Sequence, residues 1–154
     1  MTNTILIEPV GYVRAERAEA EDDAWDAVAI HIELDSTRFG PEALQGLAEF
    51  SHVEVLFQFH KATEPGETGA RHPRGNLAWP KVGIFAQRAK DRPNRIGATI
   101  CKVVSVHGTT LELSGLDAID GTPVIDIKPV MRGFLPRGDF REPAWAGELM
   151  AQYW

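Results

Sequence analysis

Residues 83–130 read GIFAQRAKDRPNRIGATICKVVSVHGTTLELSGLDAIDGTPVIDIKPV, and their middle decides the fold. Residues 98–106 and 109–115 are two apolar, β-branched runs flanking His107-Gly108, a two-residue turn signal, so they predict a β-hairpin. On either side lies a dense polar segment. Together these carry Arg88, Lys90, Arg92, Asn94, Arg95, Asp117, Asp120, Asp126 and Lys128 among glycines and prolines. Strands give a rigid frame, and such polar loops are where a frame carries its site.

The strand pattern extends outward from the hairpin. Residues 27–34 (AVAIHIEL) alternate, with Val28, Ile30, Ile32 and Leu34 on one face. In residues 52–60 (HVEVLFQFH), Val53, Val55, Phe57 and Phe59 oppose His52, Glu54, Gln58 and His60; alternation of this kind marks a strand buried on one side. Residues 4–14 form one apolar segment broken at Pro9 and Gly11, and 82–87 and 123–128 complete the predicted strands. Helical signal is confined to PEALQGLAEF after Gly40, opened by Pro41, and to the tail AWAGELMAQYW with Trp145, Leu149 and Trp154 as apolar anchors. Residues 62–80 form a long Gly/Pro-rich loop, and loops beyond about 12–15 residues are commonly functional. Six or seven short strands predict a mainly β chain, an antiparallel barrel or sandwich with short helices. With 154 residues, no internal repeat and no dividing linker, a single domain over 1–154 is expected.

Composition narrows the class. Apolar residues at 44% and charged residues at 25% are ordinary for a globular chain and exclude a low-complexity one. The N-terminal stretch has neither a basic leader nor a long apolar run, so no signal or transit peptide is expected. The lone Cys101 excludes an intrachain disulfide framework, fits a reducing compartment and predicts a cytoplasmic protein with a buried, inert thiol. The net charge of −6 argues against a generic nucleic-acid coat. Yet residues 71–95 hold Arg71, Arg74, Lys81, Arg88, Lys90, Arg92 and Arg95 against Asp91 alone. Screening acts over about 8–10 Å at ordinary salt, so such a local basic face attracts anions whatever the overall sign.

Familiar catalytic constellations are absent from the sequence. His52 and His60 share a strand face but stand about 26 Å apart at strand rise, too far for one ion, and no metal site is expected. There is no G-x-S-x-G nucleophile elbow and no G-x-G-x-x-G between a strand and a helix. Asp117 and Asp120 could pair as in glycosidases, although Asp120-Gly121 reads more simply as a turn. What remains is a site of Arg-rich and Gly-rich loops, suited to group transfer by positioning two reactants.

GIFAQRAKDRPNRIG followed by GLDAIDGTPVIDIKP resembles the TrmO family, also called TsaA-like or YaeB-like; Pro9–Arg14 and FSHVEVLFQFH are similar to it too. The resemblance implies a β-barrel, a homodimer, and S-adenosylmethionine-dependent methylation of N6 of threonylcarbamoyladenosine beside the tRNA anticodon. It places the methyl donor against His60, Lys61, Arg88, Ser114, Gly115, Leu116 and Asp117. It leaves the catalytic base unnamed. Arg92, Asn94 and Arg95 are expected to meet the tRNA phosphates or the threonyl carboxylate, with Arg71 and Arg74 adding phosphate contacts. Many members carry a P-R-Q segment after the first strand; here that region reads EAEDDAWDA, so Asp23 and Trp25 are expected to take its place on the donor. Asp91 and Arg95 stand where an aromatic and a proline are common. No C-terminal extra domain is expected. Two alternatives remain open: a non-enzymatic S-adenosylmethionine or nucleotide binder acting through a protein partner, and a methyltransferase acting on a different small molecule.

Overall fold

The structure, a computed structural model, describes residues 3–63 and 65–154; Glu64, inside the expected 62–80 loop, lies outside the described residues. Its strands are β1 (Gly11–Ala15), β2 (Ile30–Leu34), β3 (His52–Gln58), β4 (Ala70–Arg71), β5 (Val82–Gly83), β6 (Ile96–His107), β7 (Thr110–Ser114) and β8 (Pro123–Pro129), followed by one helix, α1 (Ala144–Met150). Strands β1-β2-β7-β6-β3-β8 close into an antiparallel barrel, and β4 and β5 form a separate two-stranded ribbon. The mainly β, barrel reading therefore holds.

Alternation in the sequence becomes the barrel interior. Val53, Val55 and Phe57 of β3, Ile30, Ile32 and Leu34 of β2, and Leu111 and Leu113 of β7 are all buried. Each such side chain contributes roughly 1.5–3 kcal/mol by leaving water. Phe57 and Phe59 meet edge to face at 5.2 Å, and Phe59 packs against the buried core. Gly97, opposite Phe57 in register, makes room for them: a Cβ there would stand 2.5 Å from the Phe57 ring and 2.9 Å from the Phe59 ring.

Several local expectations are corrected. Of the 4–14 segment only the part from Gly11 becomes strand, as Gly11–Ala15, where β2 and β8 supply register partners. PEALQGLAEF forms two 3-10 turns, Pro41–Leu44 and Leu47–Glu49, separated by Gly46 at φ +85°. The 82–87 strand ends at Gly83, and Ile84–Ala86 is a 3-10 turn. The 62–80 loop contains β4 and a turn at Pro73–Gly75. The β6–β7 turn is Gly108-Thr109, one residue later than expected: His107 pairs with Thr110, and Gly108 supplies positive φ at the first central position. In the tail, Trp154 is 46% exposed, and Tyr153 is the residue that packs on the core.

Candidate active site at one rim of the barrel

In a closed antiparallel barrel, alternate strands end at the same rim. Here one rim collects the β1–β2 connection (16–29), the long β3–β6 excursion (59–95) and the β7–β8 connection (115–122). Asp23, Trp25, His60, Lys61, Arg71, Arg74, Arg88, Arg92, Asn94, Arg95, Gly115, Leu116 and Asp117 all lie on these three segments, and Ser114 ends β7 beside them.

Hydrogen bonds stitch the segments together. Asp120 N–H donates to the Arg17 carbonyl at 2.7 Å, and Ala15 N–H donates to Asp120 Oδ1 at 3.1 Å. Lys61 Nζ reaches the Ala18 carbonyl at 3.0 Å and Glu19 at 3.2 Å. Arg74 pairs with Asp23 at 3.0 Å. The Arg17 guanidinium lies 4.4 Å over the Trp25 ring while donating to the Asp23 and Ala24 carbonyls.

Asp117 lies at this mouth of the barrel, where the β7–β8 connection meets β6 and the C-terminal tail. The inward-facing Thr99 hydroxyl of β6 donates to Oδ1, and the Tyr153 hydroxyl donates to Oδ2. Tyr153 arrives from the tail, held by Trp25 N–H on its carbonyl at 2.9 Å and by Ala24 N–H on the Gln152 carbonyl at 3.0 Å. Burial, then the Asp117 carboxylate, push the Tyr153 phenol well above its ordinary pKa, while Arg88 and Arg74 pull the other way. Arg88 donates to the Ala98 carbonyl at the start of β6. Trp25 and Leu116 are buried in the core at 4% and 0% exposure. Leu116 can therefore present only backbone to a ligand, and Gly115 beside it turns at φ +77°. Burial, then the Lys61 charge, hold the His60 imidazole below its ordinary pKa, with Asp120 opposing.

Next to this mouth, Pro65 and Gly66 face Arg92, Pro93, Asn94 and Arg95 across a cleft of about 590 Å³. Asn94 and Arg95 are consecutive left-handed residues at φ 60° and 50°. Asp91 fastens this corner: its carboxylate accepts from Thr63 N–H at 3.0 Å and from Lys90 at 3.2 Å, and its carbonyl accepts from Glu67 N–H at 3.1 Å. Burial raises the Asp91 pKa, but those hydrogen bonds and the Lys90 and Arg71 charges hold it below the ordinary value. Arg71 lies 3.9 Å from Asp91, so both Arg71 and Arg74 face acids of their own chain.

Two independent markers single out this rim. The four buried polar side-chain atoms without a partner among the described residues are Trp25 Nε1, His60 Nδ1, Arg71 Nε and Gln87 Oε1, and all four belong to its loops. Among the described residues, the non-glycine residues with positive φ, Ala24, Arg74, Asn94 and Arg95, belong to them as well. Orphaned polar groups and backbone strain both cost free energy and collect where a ligand binds. A second cleft, of about 470 Å³ at the opposite rim among Leu34, Phe39, Leu47 and Phe50, has neither marker.

Sequence reasoning missed Arg17, Thr99 and Tyr153. Thr99 carried a weak signal, a hydroxyl on the inward side of a strand; Tyr153 and Arg17 carried none. Among the described residues no group of three or more His, Cys, Asp or Glu could hold a metal ion, and no helix is long and apolar enough to cross a membrane. Cys101 is buried, and desolvation, with Asp117 adding to it, pushes its thiol up to about 12. Only a thiolate alkylates readily. At pH 8 the native chain is therefore expected to resist iodoacetamide and to take one label only after denaturation, read by mass spectrometry; prompt native labelling would contradict the burial.

Comparison with known proteins gives the family. Residues 15–134 match the family model of the tRNA-methyltransferase O N-terminal domain. A Mus musculus tRNA (adenine(37)-N6)-methyltransferase is 39% identical over 138 residues, which is 84% of this chain and 32% of that protein. A probable S-adenosyl-L-methionine-binding protein of Methanothermobacter thermautotrophicus is 38% identical over 128 residues, 81% of this chain and 89% of that protein. The crystal structure of TrmO from Pseudomonas aeruginosa superposes with a TM-score of 0.73 at 34% identity, covering 90% of this chain and 61% of that one. The chain thus spans about a third of the length of its mammalian relatives. A match over residues 15–134, which contain every expected site residue, establishes that the chain belongs to the tRNA-methyltransferase O N-terminal domain family.

Proposed function

We propose that this chain transfers a methyl group from S-adenosylmethionine to N6 of an adenosine in tRNA, the acceptor being threonylcarbamoyladenosine beside the anticodon. The observation that carries the reading is the meeting, at one rim, of a donor-type mouth around Asp117 with the Arg92–Arg95 cleft. Relatives named as tRNA (adenine(37)-N6)-methyltransferases and as S-adenosylmethionine-binding proteins support it.

The residues present fit the methyl donor. Asp117 accepts one hydroxyl on each oxygen, and an ionised carboxylate has about four lone-pair sites, so it can accept further from a ribose hydroxyl or an ammonium N–H. Arg88 supplies a planar fork for a carboxylate. Backbone from Ser114 to Leu116 can read an adenine edge, and Gly115 permits close approach. Trp25 and His60 lie on the connections that border this mouth, and Lys61 and Asp23 brace the loops on either side. When bound, S-adenosylmethionine would supply an activated methyl: its sulfur–methyl bond would break as the N6–methyl bond formed, a neutral thioether would leave and the N6 proton would pass to solvent, with no covalent enzyme intermediate. The protein's part is positioning, with reacting atoms held at about 3–3.5 Å. Arg92, Asn94 and Arg95 hold the acceptor by its phosphates or its threonyl carboxylate, and Arg71 and Arg74 add long-range attraction for the tRNA backbone. We assign the protein to the cytoplasm and to a homodimer; Ile96, Ile100 and Val104, spaced along the outer face of β6 at 38%, 46% and 53% exposure, offer an apolar surface for a second copy.

The test is incubation of the chain with labelled S-adenosylmethionine and tRNA from cells with and without the threonylcarbamoyl modification. Label is expected only in the modified pool, on N6 after digestion to nucleosides. Label in neither pool would overturn the tRNA reading.

A further inference from the structure

The roles above give no part to Phe85. Phe85 is 79% exposed, yet the residues around it are fixed. Ile84 is 2% exposed and Gln87 7%, so the Ile84–Ala86 turn is anchored on both sides of the ring. Ile84 N–H donates to the Gly69 carbonyl at 2.8 Å, and Gln87 Nε2 donates to the Arg71 and Val82 carbonyls at 3.0 and 2.9 Å. Arg92 Nη1 then donates to the Gln87 carbonyl at 2.6 Å. The aromatic ring is thus held out to solvent by a turn bonded directly to Arg71 and Arg92. It lies within the 71–95 segment, where seven Lys and Arg face a single acid. Phe134 and Phe140 are also exposed, at 88% and 71%, but lie outside that segment.

We propose that Phe85 is a stacking platform for an unpaired base of the RNA substrate. This rests on the tRNA reading above and names a contact within it. A basic segment that carries an outward ring complements a strand that offers phosphates and π faces together, and bases in single-stranded loops are free to be stacked on an aromatic side chain. A preformed platform also avoids the ordering cost of a mobile side chain.

The experiment measures binding of an anticodon stem-loop RNA by fluorescence anisotropy at several salt concentrations, for the parent chain, Phe85→Ala and Phe85→Trp. Phe85→Ala is expected to weaken binding about tenfold at every salt, the scale of one lost base–aromatic stack, with the slope of log affinity against log salt unchanged. Phe85→Trp is expected to restore affinity. S-adenosylmethionine binding by calorimetry and the unfolding midpoint should not move, because the ring is exposed. Unchanged RNA affinity in Phe85→Ala would overturn the proposal, as would a changed salt slope. A shift in oligomeric state by sedimentation velocity would overturn it too, by placing Phe85 in a contact between protein copies. Absence of RNA binding by the parent chain at low salt would instead remove the tRNA reading itself.

Discussion

Asp117→Ala is expected to lower S-adenosylmethionine affinity at least about a hundredfold and to cost about 2–4 kcal/mol of stability. The stability part follows from the present partners. Thr99 is 8% exposed, and Tyr153 packs on the core, so removing the carboxylate strands two part-buried hydroxyls. Each stranded donor costs about 1–3 kcal/mol. The affinity part follows from the position of Asp117 at the mouth, where it is the acceptor proposed for the ligand's ribose or ammonium; bonds to a charged acceptor are worth about 1.5–3 kcal/mol each. Asp117→Asn separates the two effects. It keeps the volume and one acceptor oxygen, so the fold should survive while donor binding still falls more than about tenfold. Urea unfolding and calorimetry on both variants make the measurement. If Asp117→Asn bound S-adenosylmethionine as the parent does, Asp117 would be a bolt for the C-terminal tail and not a ligand.

How much of this was legible in the sequence depends on how far apart the partners lie along the chain. Alternation in 27–34 and 52–60 is local, and it gave the right inward faces. The hairpin slipped by one residue because Gly108 can serve either central position of a two-residue turn, and only pairing of His107 with Thr110 decides. The apolar residues 5–7 look like the start of a strand, yet Ile5 and Leu6 are 82% and 91% exposed, since a strand needs a neighbour and, among the described residues, none pairs with them. The site was harder. Bringing 16–29, 59–95 and 115–122 to one rim requires the order β1-β2-β7-β6-β3-β8, in which β2–β7 and β3–β8 pair across long stretches of chain. No periodicity encodes that order; the resemblance named positions, and closure of the barrel assembled them. Thr99 and Tyr153 stayed hidden because their role consists of reaching Asp117 from distant elements. The family match ends at residue 134, short of Tyr153.

Arg88→Ala is expected to weaken S-adenosylmethionine binding by about ten- to a hundredfold while leaving the fold nearly intact. Arg88 makes one exposed hydrogen bond, to the Ala98 carbonyl, so its loss should cost under about 1 kcal/mol of stability. Its charge reaches the Asp117 corner, since it lowers the pKa of the Tyr153 phenol bonded there. A fork at that place binds a carboxylate through two charge-assisted bonds, and each 1.4 kcal/mol is about tenfold in affinity. Arg88→Lys distinguishes fork from charge: it keeps the cation and loses the planar pair of donors, so affinity should fall to an intermediate value. Calorimetry with S-adenosylmethionine and with an analogue lacking the carboxylate completes the test. The analogue should bind parent and Arg88→Ala alike, because the group that Arg88 recognises is already gone. Equal loss for both ligands would mean that Arg88 shapes the mouth through Ala98 and the start of β6 without touching the carboxylate.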